Sequence, residues 1–143
     1  MTSFSIGTSS AESVLVTVYR YERGVTGEYY DDNWVSVKVS IATGAFTGNF
    51  DAAFITHDFV KFRAELQSLL ETLKGEAVFS TLEEQLFIKL EVDDVGHIAV
   101  AGTAIDQPGI GTELKFAFDL DQSYLPKIIS SLDEIVTEYP IRD

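Results

Sequence analysis

The run Glu28-Tyr29-Tyr30-Asp31-Asp32-Asn33-Trp34 places three aromatic rings among three carboxylates within seven residues. The chemistry such a run offers is contact rather than catalysis. Tyr and Trp bury large areas with few rotatable bonds, so they anchor protein interfaces, and neighbouring acids steer a basic partner toward them. A second acidic pair closes Thr81-Leu82-Glu83-Glu84, whose Thr-x-x-Glu spacing is that of a helix-capping box and predicts one helical turn between two strands. Tyr29, Tyr30, Asp31, Asp32 and Trp34 are therefore the expected partner-binding residues, with Glu83 and Glu84 secondary. The competing reading is architectural: the aromatics fold back and close the sheet edge, and Thr81–Glu84 shapes a connection.

Catalytic residues are harder to assemble. Nucleophilic catalysis needs a Ser, Thr or Cys beside a base, and the only histidines are His57 and His97. His57 falls in a first helical turn, where the positive end of the helix disfavours imidazolium. His97 opens a strand after a turn. Both read as ordinary residues of their elements. No Gly-x-Ser-x-Gly, P-loop or Gly-x-Gly-x-x-Gly pattern occurs, and Gly109-Ile110-Gly111 after Pro108 reads as a loop. Asp93-Asp94 and Asp119/Asp121 lack the spacing of a calcium loop and its terminal Glu. The expectation is a protein with no catalytic residues, no metal and no cofactor.

Charge narrows the partner. Twenty-three acidic residues against ten basic ones give a net charge of −13. Phosphate contacts need clustered Lys and Arg, so direct binding to nucleic acid or to an anionic membrane is not expected. A basic protein is. There is no cysteine, which excludes disulfides and thiolate metal sites. Met1–Gly7 lacks a basic and an apolar signal region, and no apolar run approaches the roughly 20 residues of a membrane span. A cytoplasmic protein is expected.

The elements that must hold these residues follow from periodicity. Val14–Arg20 reads as a strand, and Arg23–Asn33 as a loop. Trp34–Ile41 and Gly44–Phe54 alternate as a hairpin through a Thr43-Gly44 turn, pairing Ile41 with Phe46, Val39 with Gly48 and Val37 with Phe50. Trp34 then lies on the polar face. Thr56–Leu73 is the clearest helix, with Phe59, Phe62, Leu66, Leu69 and Leu73 at the 3.6-residue period. Thr56 is its expected cap, and Gly75 follows its end. Glu76–Ser80, Gln85–Val92, His97–Ile105 and Thr112–Leu120 read as strands. Leu86, Ile88 and Leu90 are expected opposite Gly102, Val100 and Ile98. Tyr124 to about Tyr139 forms a second helix on the stripe Leu125, Ile128, Leu132 and Ile135. A shift of 66 residues lays Phe50, Phe54, Phe59, Phe62 and Leu66 on Phe116, Leu120, Leu125, Ile128 and Leu132, a strand-to-helix pseudo-repeat. Residues 1–143 thus predict one α+β domain: a mostly antiparallel sheet of about six to seven strands with two helices packed on it. An open sheet edge would admit a homodimer.

Several stretches, in this order, resemble a known family. They are Asp32-Asn33-Trp34-Val35-Ser36-Val37, Gly44-Ala45-Phe46-Thr47-Gly48-Asn49-Phe50, Asp58-Phe59 with Phe62, Gly75-Glu76-Ala77 with Phe79, and Thr81-Leu82-Glu83-Glu84. Gly96-His97-Ile98-Ala99-Val100, Asp106 with Pro108-Gly109, and Asp121-Gln122-Ser123-Tyr124-Leu125-Pro126 complete the set. The chain is similar, from about Val14 to its last helix, to the WapI-type bacterial immunity proteins. The resemblance implies a cytoplasmic antitoxin. The founding type protects its bacterium from a secreted toxin, WapA, whose C-terminal domain is a tRNA nuclease. Most of the shared residues are glycine, aromatic and turn positions, which specify fold, and no binding residue is carried over from the family. The alternative is an orphan domain of the same fold that binds a small ligand or regulates another cytoplasmic protein.

Overall fold

Alternating apolar and polar residues carry the chain through eight strands, in two sets of four, each set closed by an amphipathic stretch. The structure, a computed structural model, describes residues 1–142. In chain order the elements are β1 (Thr2–Ser9), β2 (Glu12–Tyr21), a single helical turn α1 (Tyr29–Asp32), β3 (Trp34–Thr43), β4 (Phe46–Ile55) and α2 (Thr56–Thr72). There follow β5 (Glu76–Ser80), β6 (Leu86–Val92), β7 (His97–Ile105), β8 (Glu113–Asp121), a 3-10 turn (Gln122–Tyr124) and α3 (Leu125–Glu138).

The class is α+β and every strand pairing is antiparallel, as expected. The strand count and the layering are corrected. There are eight strands rather than six or seven, in two four-stranded sheets, β1-β2-β3-β4 and β5-β6-β7-β8. The added strand is β1, whose Phe4 and Ile6 are buried between serines and a glycine. The loop expected at Arg23–Asn33 contains α1.

Both expected hairpins form, each slipped by two residues. Val39 faces Phe50 and Ile41 faces Gly48, because the turn is Gly44-Ala45 with Gly44 at φ +63°. Leu90 faces Val100 and Ile88 faces Gly102, across a loop closed by Asp93 and His97 with Gly96 at φ +88°. A slip of two preserves the side-chain faces, so Val35, Val37, Val39 and Ile41 are buried together as predicted.

The pseudo-repeat is realised as two successive four-strand-plus-helix units, and the helices cross over between them. Helix α2 ends the first unit but packs against β5 of the second, and α3 ends the second but packs against β1 of the first. Glu65 Oε1 accepts from the Val78 N–H on the edge of β5 at 2.9 Å, and Arg63 Nε donates to Asp133 Oδ1 at 2.7 Å between the helices. At the crossing, Phe4, Phe54, Phe59 and Phe62 surround Phe79, with ring centroids 5.4–5.7 Å from it. Burying each such ring stabilises the fold by about 1.5–3 kcal/mol. Among the described residues no helix is long and apolar enough to cross a membrane.

Candidate functional site

The tyrosine turn is held from behind by two buried polar side chains. Asp32 is 2% exposed. Its Oδ1 accepts from the Thr26 N–H at 2.7 Å and from the Thr26 hydroxyl at 2.6 Å, and its Oδ2 accepts from the Gly27 N–H at 2.9 Å. The Thr26 hydroxyl, above all, holds this carboxyl below its usual range. Asp32, expected among the partner-contact residues, has its carboxylate turned inward, where it ties down the loop before α1.

Asn33 is fully buried and has every polar atom of its side chain engaged. Its amide donates to the carbonyls of Tyr29 at 2.7 Å and Arg142 at 2.9 Å. Its Oδ1 accepts from the Thr56 hydroxyl at 3.0 Å and the Arg142 N–H at 2.7 Å. Thr56, the expected cap of α2, thus turns to Asn33 instead. Ile55 takes the cap position, and Asp58 Oδ2 accepts from its N–H at a long 3.4 Å.

These ties hold the tyrosines toward solvent. The Tyr29 and Tyr30 rings meet edge to face with centroids 5.2 Å apart, and Tyr30 is 66% exposed. Facing them is the start of α2, with His57 and Asp58, and beyond it the turn after β5. Thr81-Leu82-Glu83-Glu84 makes a hydrogen-bonded turn rather than a turn of helix, because Glu84 adopts φ +56° and its N–H donates to the Thr81 carbonyl at 3.0 Å. Leu82 at its tip is 66% exposed.

Together these segments enclose a cleft of about 700 Å³ lined by Tyr29, Tyr30, Ile55, His57, Asp58, Ser80, Thr81, Leu82 and Glu84. Burial raises the Asp58 carboxyl to about 6, against the opposing pull of the Ile55 N–H, His57 and Lys61. Thr81 is 6% exposed, and its hydroxyl oxygen is buried without a hydrogen-bond partner. A buried unpaired hydroxyl and a desolvated carboxyl are both costly to the fold, and both sit on the wall of this cleft.

Of the residues singled out from sequence, the cleft gathers Tyr29, Tyr30 and Glu84. Asp31 stands outside it, exposed, with Oδ2 4.0 Å from Arg23 Nη1. Glu83 is exposed and does not line it. Trp34 is half-buried on the outer face of β3, opposite Ile55. His57, Asp58, Ser80 and Thr81 were not singled out as contact residues, because nothing in their local spacing says that the start of α2 faces the tyrosine turn. His97 is exposed with Nδ1 3.7 Å from Asp93 Oδ2, far along the second sheet. Among the described residues no group of three His, Asp or Glu stands close enough to hold a metal ion.

The architecture is similar to that of a solved structure described as crystal structures of Trypanosoma bruciei MRP1/MRP2. The TM-score is 0.50 at 8% identity, over 96% of this chain and 86% of that one. At that identity the likeness is one of fold. No curated protein matches the chain. A family model described as the immunity protein WapI-like family matches residues 5–140, from β1 to the end of α3.

Proposed function

Because the chain belongs to the immunity protein WapI-like family, we propose that it neutralises a cognate toxin by binding it, with the cleft between the tyrosine turn and the Thr81–Glu84 turn as part of the docking face. Family membership carries the immunity role. The cleft is favoured as the face because its exposed tyrosines and leucine are rimmed by carboxylates, the composition of an interface anchor. The toxin is basic, and a nuclease that grips tRNA phosphates has such a surface. An acidic protein of net charge −13 is drawn to that surface and covers it. The protein acts in the cytoplasm as a stoichiometric inhibitor without turnover.

Co-expression with a candidate toxin domain tests this reading. Wild type should restore growth and co-purify with the toxin. Tyr30→Ala should weaken the complex by about 2 kcal/mol, as truncating an anchor does, while leaving the fold intact. Absence of both rescue and a complex would overturn the reading. Rescue with full affinity in Tyr30→Ala and Leu82→Ala would keep the immunity role and move the face elsewhere.

A further inference from the structure

The cleft has a chemistry specific enough to name what enters it. Its lining offers acceptors: the desolvated Asp58 carboxyl, and the Thr81 hydroxyl oxygen with no partner of its own. Glu84 adds a second carboxylate, and no lysine or arginine is among the lining residues. Lys61, one turn along α2 from His57 and Asp58, is 3.3 Å from Glu65. The walls are the Tyr29 and Tyr30 rings, Ile55 and Leu82. An anion is disfavoured, since the positive end of α2 already carries Asp58. Acceptors set among aromatic and aliphatic side chains instead suit a long cationic side chain, whose stem lies along apolar surface while its head is hydrogen-bonded.

We propose that the cleft receives an arginine side chain of the partner toxin, its guanidinium donating to Asp58, Glu84 and the Thr81 hydroxyl while stacking on the tyrosine pair. The proposal rests on the toxin-binding reading above and adds the chemistry of the contact. Arginine is favoured over lysine for two reasons. Its planar fork of five donors can serve two carboxylates and a hydroxyl at once, which a compact ammonium does less well. It also stacks on aromatic faces, and this protein already makes that contact: the Arg142 guanidinium lies 3.3 Å from the centroid of the Tyr21 ring.

Asp58 must be ionised to hold the guanidinium well, and burial opposes its ionisation. The groups that face it are His57 and Lys61 from α2, the two tyrosines from α1 and Glu84 from the turn after β5. Arginine binding should therefore weaken on acidification, in the range where most surface carboxylates remain charged.

The test is a titration of the isotope-labelled full chain, followed by NMR, with N-acetyl-arginine amide and with its neutral isostere N-acetyl-citrulline amide. Blocked arginine should shift the resonances of Tyr30, Asp58, Thr81 and Glu84, and citrulline should not. Affinity should fall about tenfold between about pH 7.5 and about pH 5, because a carboxyl titrating near 6 is then about one-tenth ionised. Asp58→Asn should show the weak binding at both pH values, and Thr81→Val should bind more weakly with its fold intact. Equal binding of citrulline, no shift within the cleft, or unchanged affinity in Asp58→Asn would overturn the proposal. Growth rescue by the co-expressed protein scores the toxin-binding reading separately. Rescue without arginine binding leaves that reading standing, whereas arginine binding with neither rescue nor a toxin complex sinks it and keeps the cleft chemistry.

Discussion

Asp58 and Asn33 show how much one side chain settles here. The Asp58 carboxyl titrates near 6 in the folded protein against 3.8 for the free side chain, because burial penalises its charge. A raised carboxyl stabilises the native state while protonated. That contribution is complete below pH 3.8 and lost as the pH rises through about 6. Asp58→Asn keeps the acceptor for Ile55 and removes the charge, so its stability should gain on wild type by about 1–2 kcal/mol between acid and neutral pH, after discounting for partial exposure. Denaturant unfolding at several pH values would show this, and parallel curves would refute it. Asn33→Ala strands the Thr56 hydroxyl together with the backbone groups of Tyr29 and Arg142. It should cost about 2–4 kcal/mol, and amide exchange should show the tyrosine turn opening first. The aromatic and acidic character of residues 28–34 was legible in the sequence. Which carboxylate turns inward was not: Asp31 and Asp32 are adjacent and chemically alike, and only the positions of Thr26 and Gly27, fixed by the folded loop, distinguish them.

The strands show what periodicity can and cannot encode. An alternating pattern assigns each side chain to a face, and a slip of two leaves every face unchanged. The buried valines of β3 were therefore readable, while the partner of each was decided by the turn, where Gly44 alone tolerates φ +63° at no steric cost. Strand β1 escaped notice because its two buried residues are separated by serine and followed by glycine, leaving little β-branched signal. Helices were clearer, since α2 and α3 each present an apolar stripe over three or more turns. Register also creates close approaches that no local reading reveals. A Cβ on Gly102 would lie 2.2 Å from the Phe87 carbonyl oxygen and 2.5 Å from the Phe116 ring. Gly102→Ala must therefore push β6 or Phe116 away from β7 and should cost about 3 kcal/mol. Thermal unfolding checks this, and the wild-type midpoint retained would contradict the packing described.

Over the whole chain, the 66-residue repeat was visible as matched apolar residues: Phe54, Phe59, Phe62 and Leu66 and their counterparts Leu120, Leu125, Ile128 and Leu132 are all buried. That the two units form separate sheets and exchange helices was not visible, since alternation says nothing about which strands meet across a helix. The exchange predicts cooperativity. Residues 1–74 would lack the strand on which α2 packs, and residues 75–143 the strand on which α3 packs, so each piece expressed alone should be unfolded. Mixing the two should restore one folded species with a single unfolding transition by circular dichroism. A stably folded half would argue against this interlock. The cleft lies outside the interlocked core: its exposed Tyr30 and Leu82 stand on connections between strands and are absent from the buried cluster. Substitutions at Tyr30 and Leu82 should leave the folding free energy nearly unchanged. On the docking face proposed above, a lineage facing a new attacker would recut the key at a few surface positions while the eight strands beneath it are inherited intact.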